Sequence, residues 1–150
     1  QAEGSDFMYR TWKEKADPLT YPPIDAQTVA DSISAGLPRD RIKASAAILE
    51  TNGAWVRVSD AQILAAIPLL AKNSGIFAEP AAAAPLAGLL AAREQGLVSP
   101  KDTVVLVITG SGLKDVPSAM RACDEAGIAP VTVDPSLADV RRTAGEIFKR

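Results

Sequence analysis

The six residues Thr103-Val104-Val105-Leu106-Val107-Ile108 restrict the fold more than any other stretch of the chain. A short run that is apolar on both of its alternating faces suits a strand covered on two sides, the usual situation of a parallel sheet sandwiched by helices. Helical segments alternate with extended ones on either side of it. Phe7, Met8, Tyr9 and Trp12 give an apolar side to a helix over 6–15, with Ser5 as its cap. The stretch Asp17 to Pro23 is a proline-rich loop, and Thr28 to Ile33 reads as strand or loop. A helix beginning at Pro38 ends at Asn52-Gly53, a strand follows from Ala54 to Val58, and Ser59-Asp60-Ala61-Gln62 forms a capping box for the next helix. That helix carries Ile63, Leu64, Ile67 and Leu70 and stops at Asn73-Ser74-Gly75. Further helices are predicted over 80–95, 118–126 and from Ser136, with a strand over 130–133. The pattern predicts an α/β chain: a three-layer α/β/α arrangement around a mostly parallel sheet.

Composition removes several chemistries. The chain has no His and one Cys, Cys123, so it cannot build a Cys/His zinc site, an intrachain disulfide or a His-based triad from its own residues. No metal site is expected. Lys and Arg total 16 against 18 Asp and Glu, a balance that argues against nucleic acid as partner. The low-charge stretch from Gly75 to Ala92 contains Glu79, Pro80 and Pro85, which points to a buried helix rather than a membrane span. The start, Gln1-Ala2-Glu3-Gly4-Ser5, has no signal-peptide pattern and reads as a chain cut within a domain. Together with the lone thiol this gives a cytoplasmic expectation.

In open α/β sheets ligands gather at the carboxyl ends of strands, which directs attention to Thr109-Gly110-Ser111-Gly112-Leu113-Lys114-Asp115. As a dinucleotide loop it has Asp115 where a third glycine belongs, and as a nucleotide-phosphate loop it is four residues short. A plain glycine turn that starts a helix is the remaining local reading. The motif does, however, resemble the C-terminal motif of threonine synthases, pyridoxal-phosphate enzymes of fold type II. Gly75-Ile76-Phe77-Ala78-Glu79-Pro80-Ala81-Ala82-Ala83-Ala84 is similar to that family's Gly-Ile-Phe-x-Glu-Pro segment, and Ala30-Asp31-Ser32-Ile33 to its Ala-Asp-Ser-Ile segment. The resemblance covers most of residues 1–115 and is specific as a set; the tail from Val116 adds little.

The resemblance implies a C-terminal portion, residues 1–150, of a large cofactor domain whose N-terminal half lies elsewhere. Pyridoxal phosphate is the implied cofactor, an amino acid the implied substrate, and a homodimer is compatible with the pattern. The parent reaction would take O-phospho-L-homoserine and water to L-threonine and phosphate. In this family a Schiff-base lysine and a Gly/Asn-rich phosphate loop precede the present segment. None of Lys13, Lys15, Lys43, Lys72, Lys101, Lys114 or Lys149 stands in that lysine's context, so no catalytic residue is assigned and the chain alone is expected to be inactive.

Thr109 corresponds to the hydroxyl that meets the pyridine nitrogen, and Gly110, Ser111 and Gly112 to the turn beside the ring; a Thr that satisfies a strand-end amide is the structural alternative. Asp31, Ser32 and Glu79 are substrate-side candidates. Asp31 could equally cap local backbone, and Glu79 could simply sit at a helix N-terminus. Lys114 reads as a helix-start or surface residue. Phe7, Tyr9, Trp12 and Trp55 read as core or domain-contact residues rather than stacking platforms. Two readings outside threonine synthase stay open: another fold type II enzyme, such as a serine/threonine dehydratase or cysteate synthase, and a non-catalytic α/β assembly module.

Overall fold

The computed structural model describes residues 1–148; Lys149 lies outside them. Its regular elements are six helices: α1 (Phe7–Glu14), α2 (Arg41–Glu50), α3 (Asp60–Ser74), α4 (Pro80–Glu94), α5 (Val116–Glu125) and α6 (Leu137–Ile147). Single 3-10 turns stand at Glu3–Ser5, Asp31–Ile33 and Gly112–Lys114.

α3 is the centre of the molecule. The Ser59 hydroxyl accepts from the Gln62 amide at 3.2 Å while the Gln62 side chain accepts from the Ser59 amide at 2.8 Å, so the predicted capping box starts the helix. Gly75, at φ 70°, ends it in the left-handed conformation that a side chain would resist. Between these caps Ile63, Leu64, Ile67 and Leu70 recur at helical spacing and are buried against Ala82, Ala83, Ala87 and Ala91 of α4. The alanines let the two helix backbones approach closely. α5 packs on the other flank of α3 through Ala122.

The caps differ from expectation in two places. Ser5 does not cap α1: Asp6 occupies that position, and the buried Ser5 hydroxyl instead donates to the Ile33 carbonyl and accepts from the Ala35 amide at 2.9 Å. α5 starts at Val116, two residues ahead of the predicted start, because the Asp115 carboxylate accepts from the Ser118 amide and caps it there. α2 begins at Arg41, after Pro38, and has no buried residue.

The predicted strands pair far less than the pattern suggests. Among the described residues there are two isolated bridges, Ala2 with Val58 in parallel and Ala78 with Ser111 antiparallel, and no ladder. The first is closed by Glu3 N–H to Val58 O and Val58 N–H to Gln1 O, both 2.8 Å. The segments 103–108 and 130–133 carry no regular structure. The reason is a lack of neighbours: a strand is stabilised by hydrogen bonds to adjacent strands, and none lies beside these segments among the described residues. Val105 is consequently 83% exposed and Val107 67%.

A large exposed apolar surface of this kind drives association. The 150-residue chain by itself is expected to self-associate, and Val105→Lys to shift light scattering toward the monomer while leaving the helical circular dichroism unchanged. In the same chain Ser59→Ala should cost about 1 kcal/mol in urea unfolding, through loss of the α3 cap.

Candidate functional site

The turn after residue 108 is held against the start of α4 by backbone pairing. Glu79 N–H donates to Gly110 O at 3.2 Å and Gly112 N–H to Phe77 O at 3.0 Å. This pairing explains both glycines. A Cβ on Gly110 would stand 2.1 Å from Glu79 Oε1, and one on Gly112 2.2 Å from the Phe77 ring. Each glycine therefore accommodates a neighbouring side chain of this chain, and neither needs an unusual backbone angle for its role. Ser111 is exposed, and its hydroxyl accepts from the Leu113 amide at 3.3 Å as the cap of the 3-10 turn.

Glu79 is the N-cap residue of α4, yet its side chain makes no capping hydrogen bond. The carboxylate turns toward the glycine turn instead, where Lys114 Nζ donates to Oε1 at 3.2 Å. Its side chain is only 7% exposed, whereas that of Lys114 is 60% exposed. Beside this pair lies a cleft of about 380 Å³ lined by Asp31, Ser32, Glu79, Pro80, Ala81, Lys114 and Asp115. The three substrate-side candidates thus share one cleft, although they come from segments nearly fifty residues apart. Asp31 and Ser32 are exposed in the 3-10 turn that packs on α4. The lining carries three carboxylates and one ammonium, an electronegative wall suited to a cationic group.

Thr109 stands at the edge of this arrangement, one residue before Gly110, and does not line the cleft. It is exposed, and among the described residues its hydroxyl has no hydrogen-bond partner. A hydroxyl in this state can donate to an external acceptor without giving up an internal one. No cluster of metal-ligating side chains occurs among the described residues.

Lys114 was legible only as a helix-start or surface residue, because its partner is 35 positions away and no local spacing relates the two. Asp6 is a second group that periodicity does not reveal. It is fully buried, with Arg10 Nε at 2.6 Å and Arg57 Nη1 at 3.0 Å from its two oxygens, and it braces α1 against the segment before α3. Arg57 also lies over the Tyr9 ring, 4.9 Å from its centroid. Phe7 is a core residue packed edge-on against Tyr21, while Trp12 and Trp55 line an apolar cleft of about 610 Å³.

The site thus combines a buried carboxylate fastened beside a glycine turn with an exposed hydroxyl at the turn's first residue. Residues 1–110 match the family described as pyridoxal-phosphate dependent enzyme, and the chain belongs to that family. It is similar to threonine synthases: 40% identical over 119 residues to that of Mycobacterium tuberculosis, covering 79% of this chain and 31% of that protein. The threonine synthase of Methanocaldococcus jannaschii is 33% identical over 147 residues, 98% of this chain and 35% of its own length. That of Methanosarcina acetivorans is 38% identical over 141 residues, 94% and 34% respectively. The chain spans about a third of the length of these relatives. No helix among the described residues is long and apolar enough to cross a membrane.

Adding a methyl group at the turn should separate its two halves. Gly110→Ala is expected to push Glu79 off the turn and to cost about 1–3 kcal/mol in urea unfolding, with faster amide exchange at Glu79 and Gly112. The double variant Gly110→Ala, Glu79→Ala should recover part of that loss, because truncating Glu79 clears the space.

Proposed function

We propose that this chain is the C-terminal portion of the cofactor domain of a threonine synthase, which converts O-phospho-L-homoserine and water to L-threonine and phosphate. The observation that carries the reading is Thr109, an exposed hydroxyl without an internal partner at the head of the turn docked on Glu79, within the segment matched to the family. In this reading residues 103–108 become a strand of a mostly parallel sheet when strands of the N-terminal portion stand beside them, and helices cover both faces.

Pyridoxal phosphate would supply an electron sink for the carbon centres from which protons are removed. Thr109 Oγ1 would donate to its pyridine nitrogen, and because a hydroxyl is neutral it would do so without adding a counter-charge there. Gly110 and Gly112 keep the turn low enough for its backbone to remain against Phe77 and Glu79. Asp31 and Ser32 face the substrate across the cleft, where the carboxylate suits an α-ammonium group. The electronegative lining repels a phosphate, so the phosphate of the substrate is held by the N-terminal portion, as are the cofactor's phosphate and its lysine.

Two measurements test the reading. In the complete protein Thr109→Val should lower cofactor affinity or turnover by about one to two powers of ten, the loss of a hydrogen bond of about 1–3 kcal/mol. The 150-residue chain alone, incubated with pyridoxal phosphate and reduced with borohydride, should yield no single stoichiometrically modified lysine on peptide mapping. Such a lysine accompanied by turnover of phosphohomoserine would show that the chain is self-sufficient. A serine or threonine dehydratase would be recognised by release of ammonia from the unphosphorylated amino acid.

A further inference from the structure

We propose that the Glu79–Lys114 ion pair is the clamp that sets the position of the Thr109 hydroxyl, both residues acting as positioning residues rather than as ligands of substrate or cofactor. The inference rests on the reading of Thr109 given above. Glu79 stands on the fixed side: it begins α4, whose alanines are locked into the α3 core. The turn stands on the loose side, because the segment leading into it has no ladder and exposes Val104, Val105 and Val107. What joins the two is a pair of backbone hydrogen bonds and the Glu79–Lys114 contact.

The ion pair reaches across the whole turn. Glu79 Oε1 presses on Gly110, the neighbour of Thr109, and at the same time accepts from Lys114, four residues beyond Gly110. A carboxylate at an N-cap ordinarily satisfies the first amides of its own helix, and Glu79 forgoes that bond. Buried carboxylates need a counter-ion, and Lys114 is the one cation on the cleft lining. Removing either charge breaks the ion pair and leaves the side chain at 79 free to turn toward α4 or toward water, and the turn loses its lateral constraint. Thr109 then moves with it. The clamp makes the hydroxyl's placement depend on charge, not only on side-chain volume.

The experiment uses the complete protein with pyridoxal phosphate as probe, and reads the cofactor dissociation constant, the absorption band of the bound cofactor and the thermal midpoint. Glu79→Gln and Lys114→Gln should each weaken cofactor binding about tenfold and shift the band. The double variant should be no worse than about the weaker single variant, because the two residues act through one contact. Lys114→Arg should restore affinity to within about twofold of the parent, since charge and reach are both kept. Lys114 is exposed, so its variants fold even if Glu79→Gln does not, and Lys114→Gln with its arginine rescue then decides the question. A lowered thermal midpoint with unchanged band and affinity would overturn the clamp, as would additive losses in the double variant. Thr109→Val, measured in parallel, separates the two failures. If it weakens binding while the Glu79 and Lys114 variants do not, the clamp alone is refuted; if it leaves binding unchanged, the reading of Thr109 falls and the clamp with it.

Discussion

The close contact between α3 and α4 supports every other feature of the site. Ile63 and Leu64 are fully buried in it, each contributing about 1.5–3 kcal/mol of apolar burial, and the alanine face of α4 lets the helices approach closely enough for that burial. A larger residue at Ala82 or Ala83, both fully buried, would force the helices apart. Because Pro80 opens α4 and Glu79 precedes it, the direction of the Glu79 side chain is a direct consequence of how α4 sits on α3. The cleft, the glycine turn and the ion pair are all referenced to that one helix start.

Around this fixed point the chain uses two kinds of charge. Asp6 is buried beneath two arginines and ties elements together, with an arginine partner on each of its oxygens. Glu79 is nearly as deeply buried, yet it borders a cleft and is paired with a lysine that reaches solvent. The difference is geometric. An arginine on each oxygen saturates a carboxylate, whereas a single lysine leaves it able to respond to what occupies the neighbouring space.

Much of the helical order was legible because its signals are local. The Ser59–Gln62 box, the Gly75 stop and the Pro80 start all lie within a few residues of what they control, and each stands where the spacing puts it. Ser5 misled because a hydroxyl before a helix has more than one hydrogen-bond partner in reach, and tertiary partners at Ile33 and Ala35 outcompeted the local amides. The strands were legible as a tendency of the residues but not as a paired sheet, since pairing is a property of neighbours that periodicity does not contain. At the site, Thr109, Gly110 and Glu79 were reachable through motif resemblance. The salt bridge to Lys114 was not, because charge pairing across 35 residues leaves no periodic trace.

The distribution of side-chain size completes the physical argument. The core cluster is built mostly of alanine around Ile63, Leu64, Ile67 and Leu70, while other branched residues, Val105, Val107 and Val131 among them, remain outside it. Alanine buries little area, so the helical layer is held by close approach of backbones more than by a large apolar volume. Branched residues gain most from a pleated surface covered on both sides, the environment that a parallel sheet supplies. The turn carrying Thr109 joins these two regimes. Its far end is fastened to α4 by Glu79 and Lys114, and its near end continues into residues whose favourable state requires neighbouring strands. The turn is therefore constrained at the end that meets α4 and unconstrained at the end that leads in from residues 103–108, so the placement of Thr109 depends on how that second end is held.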